Sequence, residues 1–296
     1  MKISKNENLG YFLALATFFM WGVFPIYFKF LDHVGAVQVL AHRIVWSAII
    51  LFFLLYFSHK LKQVIRLLKI KKVALNLLMS GALISINWGV FIWAVERGEI
   101  LETSLGYFIN PLFSILLGWI FLREKLSMAS KISLLIVLVA IGVQIYDLGS
   151  LPFISLLLPA SFAFYGLIRK KVRVPSIHGL FIETTLTLPF AFIYLLYLWQ
   201  IGSAKLAIDS TGFLLAFSGF VTILPLLCFN AAALRLKLST LGFFQYLSPS
   251  ISFLVAIFLY NEPLGMLKLT SFGLIWIGLA INIIASLNHK KERKNG

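Results

Sequence analysis

Four ionisable side chains interrupt the long apolar runs of this chain: His42 beside Arg43, Glu183 and Lys29. Arg43 lies about seven residues into an apolar stretch, so roughly 10 Å deep at ~1.5 Å per helical residue. An unpaired Arg at the centre of a membrane helix costs about 2.5 to 3.5 kcal/mol on insertion scales, so Arg43 needs a partner or water. It reads either as a clamp on carbonyls or a neighbouring helix, or as a seat for an anionic group. Glu183, comparably deep in a later run, reads as a carboxyl that trades a proton for solute, or as a hydrogen-bonded carboxylate capping the start of its helix. Lys29 closes the first run and either snorkels to the interface or faces a cavity.

Amides and aromatics form the second candidate set. Asn87, Asn110, Asn230 and Gln245 fall inside apolar runs, where an amide is disfavoured against lipid and is expected to face the interior of a helix bundle. Trp21, Tyr27, Trp88, Trp93, Tyr107, Tyr165 and Tyr246 share those runs. Aromatic walls with a few polar groups suit amphiphilic or aromatic solutes, although each ring alone is equally well placed as lipid-facing packing or an interfacial belt. Pro25, Pro111 and Pro249 are candidate hinges, since each removes a backbone donor and releases the carbonyl four residues back. Catalysis finds little support, because there is no HExxH, no pair of membrane carboxylates and no Gly-rich phosphate loop. The single Cys228 excludes a disulfide framework and a thiolate zinc site. No catalytic residue, metal or cofactor is expected. The alternative to a solute pathway is a membrane enzyme acting on a lipid-like substrate through His42 or Glu183.

The elements that carry these residues follow from composition. The chain is 60% hydrophobic and 12% charged, with a mean hydropathy of +0.94, which excludes a soluble globular domain and indicates a polytopic helical membrane protein. Ten segments reach or approach spanning length: Leu9 to Leu31, Ala36 to Phe57, Val73 to Val95, Leu101 to Leu122, Ser130 to Tyr146, Leu151 to Ile168, Gly179 to Trp199, Gly212 to Leu234, Leu238 to Tyr260 and Leu267 to Leu287. The first contains Ala14-Leu15-Ala16 behind Lys2 and Lys5 but continues to Leu31, so it reads as a span rather than a removed leader. Between spans, Ser58 to Lys72 carries Leu61, Val64, Ile65 and Leu68 at helical spacing among lysines. It fits a plain basic loop or an amphipathic helix on the membrane surface.

Charge sets the orientation. With the N-terminus inside, nearly all connecting Lys and Arg fall on the cytoplasmic side, and the outer pieces hold only Arg97, Lys205 and Lys268. The net charge of +15 is thereby a topology signal, and no nucleic-acid partner is needed.

One stretch occurs twice. Thr103-Ser104-Leu105-Gly106 through Asn110-Pro111 to Arg123-Glu124-Lys125-Leu126 returns as Ser239-Thr240-Leu241-Gly242 through Ser248-Pro249 to Asn261-Glu262-Pro263-Leu264. Leu105-Gly106 and Leu241-Gly242 are 136 apart, while Pro111 and Pro249 are 138 apart, which places a two-residue insertion near Gln245-Tyr246. Small or polar residues recur every fourth position, at Gly106, Asn110, Ser114 and Gly118, and at Ser248, Ser252 and Ala256. Such a stripe lets helices approach closely or lines a path for solute. Five spans per half is odd, so the halves enter the membrane from opposite faces, as in inverted-repeat secondary transporters.

These pieces resemble a known family. Trp21-Gly22-Val23-Phe24-Pro25-Ile26-Tyr27-Phe28-Lys29, His42-Arg43-Ile44-Val45-Trp46-Ser47, Asn87-Trp88, Leu105 to Leu112, Glu183-Thr184 with Pro189, and Gln245-Tyr246-Leu247-Ser248-Pro249-Ser250 are similar to the EamA family of the drug/metabolite transporter superfamily, most closely its RarD-like branch. The resemblance implies an all-α fold of ten transmembrane helices in two inverted five-helix repeats, here 9–147 and 151–287, followed by a basic cytoplasmic tail at 288–296. It implies both termini inside, residence in a bacterial cytoplasmic membrane, and a central cavity opening in turn to either face. It further implies export of a small-molecule solute; protons as a coupling ion rest on the reading of Glu183 itself, not on the resemblance. It does not name the solute.

Overall fold

A computed structural model of the chain describes residues 5–96, 100–148, 153–203, 209–260 and 265–295. Twelve helices make up those residues: α1 (Lys5–Lys29), α2 (Ala36–Phe57), α3 (Leu61–Lys69), α4 (Lys71–Glu96), α5 (Ile100–Leu122), α6 (Met128–Leu148), α7 (Phe153–Val172), α8 (Ser176–Gln200), α9 (Ser210–Ala233), α10 (Leu238–Gln245), α11 (Leu247–Phe258) and α12 (Met266–Asn295). Seven helical stretches among them are long and apolar enough to cross a membrane, and three shorter apolar ones lie in α5, α6 and α12. Together they correspond to the ten segments of the sequence. Large side chains such as Phe57, Phe190, Phe213 and Phe258 remain exposed around the outside, as expected of a bundle whose solvent is hydrocarbon.

Two elements depart from the simple count. The Ser58 to Lys72 stretch folds as the short helix α3, whose Val64 is buried against Leu55, Leu77 and Ile182 while Ile65 and Leu68 stay exposed. The ninth span is not one helix, because α10 ends at Gln245 and α11 begins at Leu247. The two-residue insertion falls at the same place. Two extra residues rotate the following side chains by about 200° at ~100° each, so a continuous helix would turn Ser248 and Ser252 off the face set by Leu241 and Gly242. Pro249 contributes by having no N–H to return to the Gln245 carbonyl.

The helices pack mainly across the two halves of the chain. α1 lies on α9 and α11, α2 on α8 and α9, α4 on α7 and α8, α5 on α7 and α10, and α6 on α12. Each contact has a mirror image when a span is exchanged for the span five later: α1 on α9 becomes α7 on α4, and α2 on α9 becomes α8 on α4. Two glycines mark one such mirrored pair. A Cβ on Gly219 would meet the Trp46 and Ser47 backbone at 2.7 and 2.8 Å, and one on Gly81 would meet the Glu183 Cα at 3.4 Å. They are 138 apart, the spacing of the two prolines. Close backbone approach is how membrane helices gain contact without a hydrophobic driving force between them.

Candidate functional site

The inner faces of α1, α2, α4, α5, α7, α9, α11 and α12, with the end of α10, enclose a cavity of about 950 Å³. Its wall is largely aromatic, with Phe18, Trp21, Phe28, Trp88, Phe162 and Phe272 among the lining side chains. The cavity reaches the surface at the α1–α2 connection, where Asp32 and His33 form part of its rim and are themselves exposed. Most lining residues lie in the half of their helices nearest that connection, while Thr222 and Leu226 lie past the middle of α9, so the cavity runs from that end into the centre of the bundle.

Arg43 is the cation in this wall. α2 carries it inward, its Nε donates to Thr222 Oγ1 of α9 at 2.8 Å, and its guanidinium carbon lies 5.3 Å from the Phe28 ring centroid and 5.7 Å from that of Trp88. Trp21, Asn87, Trp88, Tyr107, Asn110 and Gln245 share the wall, as do Pro25 and Pro249. The Asn87 amide nitrogen is bonded to the Leu158 carbonyl at 2.8 Å and to Ser161 Oγ at 3.0 Å, which ties α4 to α7. Gln245 exchanges hydrogen bonds with Ser114. The small-residue stripe of α5 thus serves both expected roles: Gly106 and Asn110 line the cavity, while Ser114 and Gly118 pack against α10 and its start.

Other candidates lie elsewhere. Lys29 is mostly exposed and pairs with Asp32 at 3.3 Å, one turn along the same stretch of chain. Trp93 is half-exposed and is not in the cavity wall. Tyr27 donates to the Leu214 carbonyl at 2.5 Å, pinning α1 to α9. Tyr246 is fully buried at the α10–α11 break. Glu183, Tyr165 and Asn230 form a separate buried cluster. Ser80 Oγ donates to Glu183 Oε1 at 2.5 Å, Tyr165 bridges Glu183 Oε2 at 3.5 Å and Asn230, and Arg169 Nε lies 3.6 Å from Glu183 Oε1. Gly179 makes room for that arginine, since a Cβ there would sit 1.7 Å from its Nη1.

The far end of the bundle is sealed. Beneath the cavity Ala14, Phe18, Leu117, Phe229, Leu238 and Leu241 belong to one buried apolar cluster drawn from α1, α5, α9 and α10. Below it Glu124, just past α5, turns inward. Its Oε1 accepts from the Leu238 N–H at 2.7 Å, and its Oε2 accepts from the Ser239 N–H at 2.8 Å and the Ser239 hydroxyl at 2.6 Å. A carboxylate on the first N–H groups of a helix is a favoured charge-assisted arrangement. Arg123 makes it reachable by taking φ +52°, after which the Glu124 N–H returns to the Gly118 carbonyl at 3.1 Å. Lys170 adds a strap from α7, its Nζ donating to the carbonyls of Ala233 and Leu236. Sequence reasoning missed this role, naming Glu124 only as part of the duplicated stretch. The one available signal was its place in the duplicated stretch. Its counterpart Glu262 lies outside the described residues, as do Arg97, Lys205, Asn261 and Pro263.

Known proteins resemble the chain throughout. Residues 8–146 match the EamA-like transporter family. The Protein RarD of Salmonella typhi is 43% identical over 98% of this chain and 99% of its own length. A protein of Vibrio cholerae named as an uncharacterized transporter is 42% identical over 94% of this chain and 92% of its own. A solved crystal structure aligns with a TM-score of 0.70 at 15% identity, covering 96% of this chain and 98% of that one, a likeness of fold alone.

Proposed function

The chain belongs to the EamA-like transporter family, in its RarD-like branch, and from that premise we propose that it is a secondary transporter that exports small amphiphilic or aromatic metabolites or drugs by alternating access. Membership makes it a multi-pass membrane transporter of the drug/metabolite type; direction, solute class and mechanism are the further reading. The observation that carries it is a cavity of about 950 Å³ with an aromatic wall, reachable from one end and sealed at the other. The sealed end bears Arg123, Lys125, Arg169, Lys170, Arg235 and Lys237, a basic excess that supports a cytoplasmic position under the positive-inside rule. The conformation is then outward-open, with the 9–147 and 151–287 halves sharing one hollow, and hinges at Pro25, Pro111 and Pro249 carry the exchange between faces. Metabolites released by cells with and without the protein, followed by flux in proteoliposomes, test this reading. Absence of flux for a broad panel with folded protein overturns it. Impermeant labelling of cysteines at Gly35 and Lys125 tests the orientation, the first being reached from outside and the second from inside.

Proton coupling is assigned to Glu183. Its partners are Ser80 of α4 and Tyr165 and Arg169 of α7, and Tyr165 in turn bonds to Asn230 of α9, so a change in its charge is felt in both halves. Protonation would leave Arg169 buried without a counter-charge, so coupling requires this pair to separate during the cycle. Glu183→Gln is expected to retain solute binding and to abolish the pH dependence of flux. Unchanged pH dependence removes Glu183 from the coupling step.

A further inference from the structure

We propose that the cavity binds a small organic monoanion, a carboxylate on an aromatic or branched apolar body, with the Arg43 guanidinium as its counter-charge. The ion pairs among the described residues are Lys29 with Asp32, His33 with Asp32, and Arg169 with Glu183; Arg43 takes part in none of them. It is held instead by one neutral hydroxyl, Thr222, and by the faces of two rings. That support fixes the guanidinium in place without neutralising it. The contrast with Arg169 is informative, since that side chain is buried in the last turn of α7, away from the cavity wall, and has a carboxylate beside it.

The consequence is electrostatic. A guanidinium in a low-dielectric wall attracts an anion far more strongly than it would in water, and its planar fork matches the two oxygens of a carboxylate. A neutral solute leaves the charge uncompensated, and a cation adds to it. A phosphate dianion brings a second negative charge into a wall with one cation, beside a rim that already contains Asp32. A carboxylate brings the site to neutrality. Asn110 also lines the cavity, and its Oδ1 is buried without a hydrogen-bond partner. The rest of the wall, with Phe18, Trp21, Phe28 and Trp88, selects an apolar, flat body.

The proposal deepens the transport reading but is tested by binding alone, so the two can fail separately. Purified full-length protein in detergent is titrated calorimetrically with 4-phenylbutyrate, its amide, 4-phenylbutylamine and 4-phenylbutylphosphonate. The acid is expected to bind at least tenfold tighter than the amide, with the amine weakest and the phosphonate dianion below the acid. Arg43→Gln should bring the acid down to the level of the amide while leaving the amide unchanged. Should that variant not fold, the acid-to-amide ratio of the unaltered protein decides, and Thr222→Val, which keeps the charge but frees its Nε, should weaken the acid a few-fold and spare the amide. Equal binding of acid and amide, no binding of the acid, or a phosphonate that binds tighter than the acid overturns the proposal. Binding with this selectivity in a protein that moves no solute overturns the transport reading instead.

Discussion

The duplicated stretch has two shapes in one molecule. In the first half it is α5, one helix that runs through Pro111 from Ile100 to Leu122. In the second half it is α10 and α11, which part at Tyr246. Their environments differ as well. Gly242 of α10 is pressed on α5, where a Cβ would come within 2.8 Å of the Pro111 carbonyl oxygen, whereas a Cβ on Gly106 of α5 would find nothing on α7 nearer than 3.5 Å. The tight contact lies towards the sealed end and the loose one beside the open cavity. Alternating access asks for this inequality between equivalent parts, because closing one end and opening the other amounts to exchanging their environments.

The strongest way to break the comparison is at the seal. Glu124 accepts three hydrogen bonds from the first residues of α10, and hydrogen bonds to charged groups contribute about 1.5 to 3 kcal/mol each. Glu124→Ala removes them and leaves two backbone donors at the head of α10 unsatisfied. Since about 1.4 kcal/mol is a tenfold change in a two-state ratio, a cysteine at the buried Leu241 position should label roughly 10- to 100-fold faster from the basic side in this variant. An unchanged rate would show that the apolar cluster, not the carboxylate, holds that end shut.

The two glycines give the next largest effect. Gly242→Ala drives a methyl group into backbone and into Ile115, and overpacking of this kind costs about 1 to 3 kcal/mol. Gly106→Ala meets only ordinary contacts. The first variant should lower the thermal midpoint and open the basic end to labelling several-fold, and the second should do neither. Equal behaviour of the two would mean that the difference between the halves is not maintained by this contact.

Much of the scaffold was legible in the residues. Hydropathy located the spans, parity set the two halves antiparallel, and the change from a 136- to a 138-residue offset placed an insertion where α10 and α11 part, although Leu238 to Tyr260 read as one span. The cavity was legible in part. Arg43, Asn87, Trp88 and Asn110 reach it because polar groups in spans are expected to face inward. That rule does not distinguish a cavity from a buried cluster, which is why Tyr165 and Asn230 were grouped with them although they bond to one another and Tyr165 to Glu183. Glu124 was illegible for a different reason. Two of its three donors are main-chain N–H groups more than a hundred residues away, and no side-chain type announces those.

The smallest effect is expected at the prolines, where it separates two causes of the break. Pro111 and Pro249 occupy equivalent positions, yet α5 continues through the first. A proline alone therefore does not part the helix, and the two-residue insertion before Pro249 is the remaining difference. Pro249→Ala should leave α10 and α11 parted, with a change of less than about 1 kcal/mol in stability, because the returned N–H still faces a register that the insertion has shifted. Spin labels at Thr240 and Leu254 read this directly. One uninterrupted helix would hold those positions about 21 Å apart at ~1.5 Å per residue, so a shift to that distance in Pro249→Ala would assign the break to the proline, and an unchanged distance assigns it to the insertion.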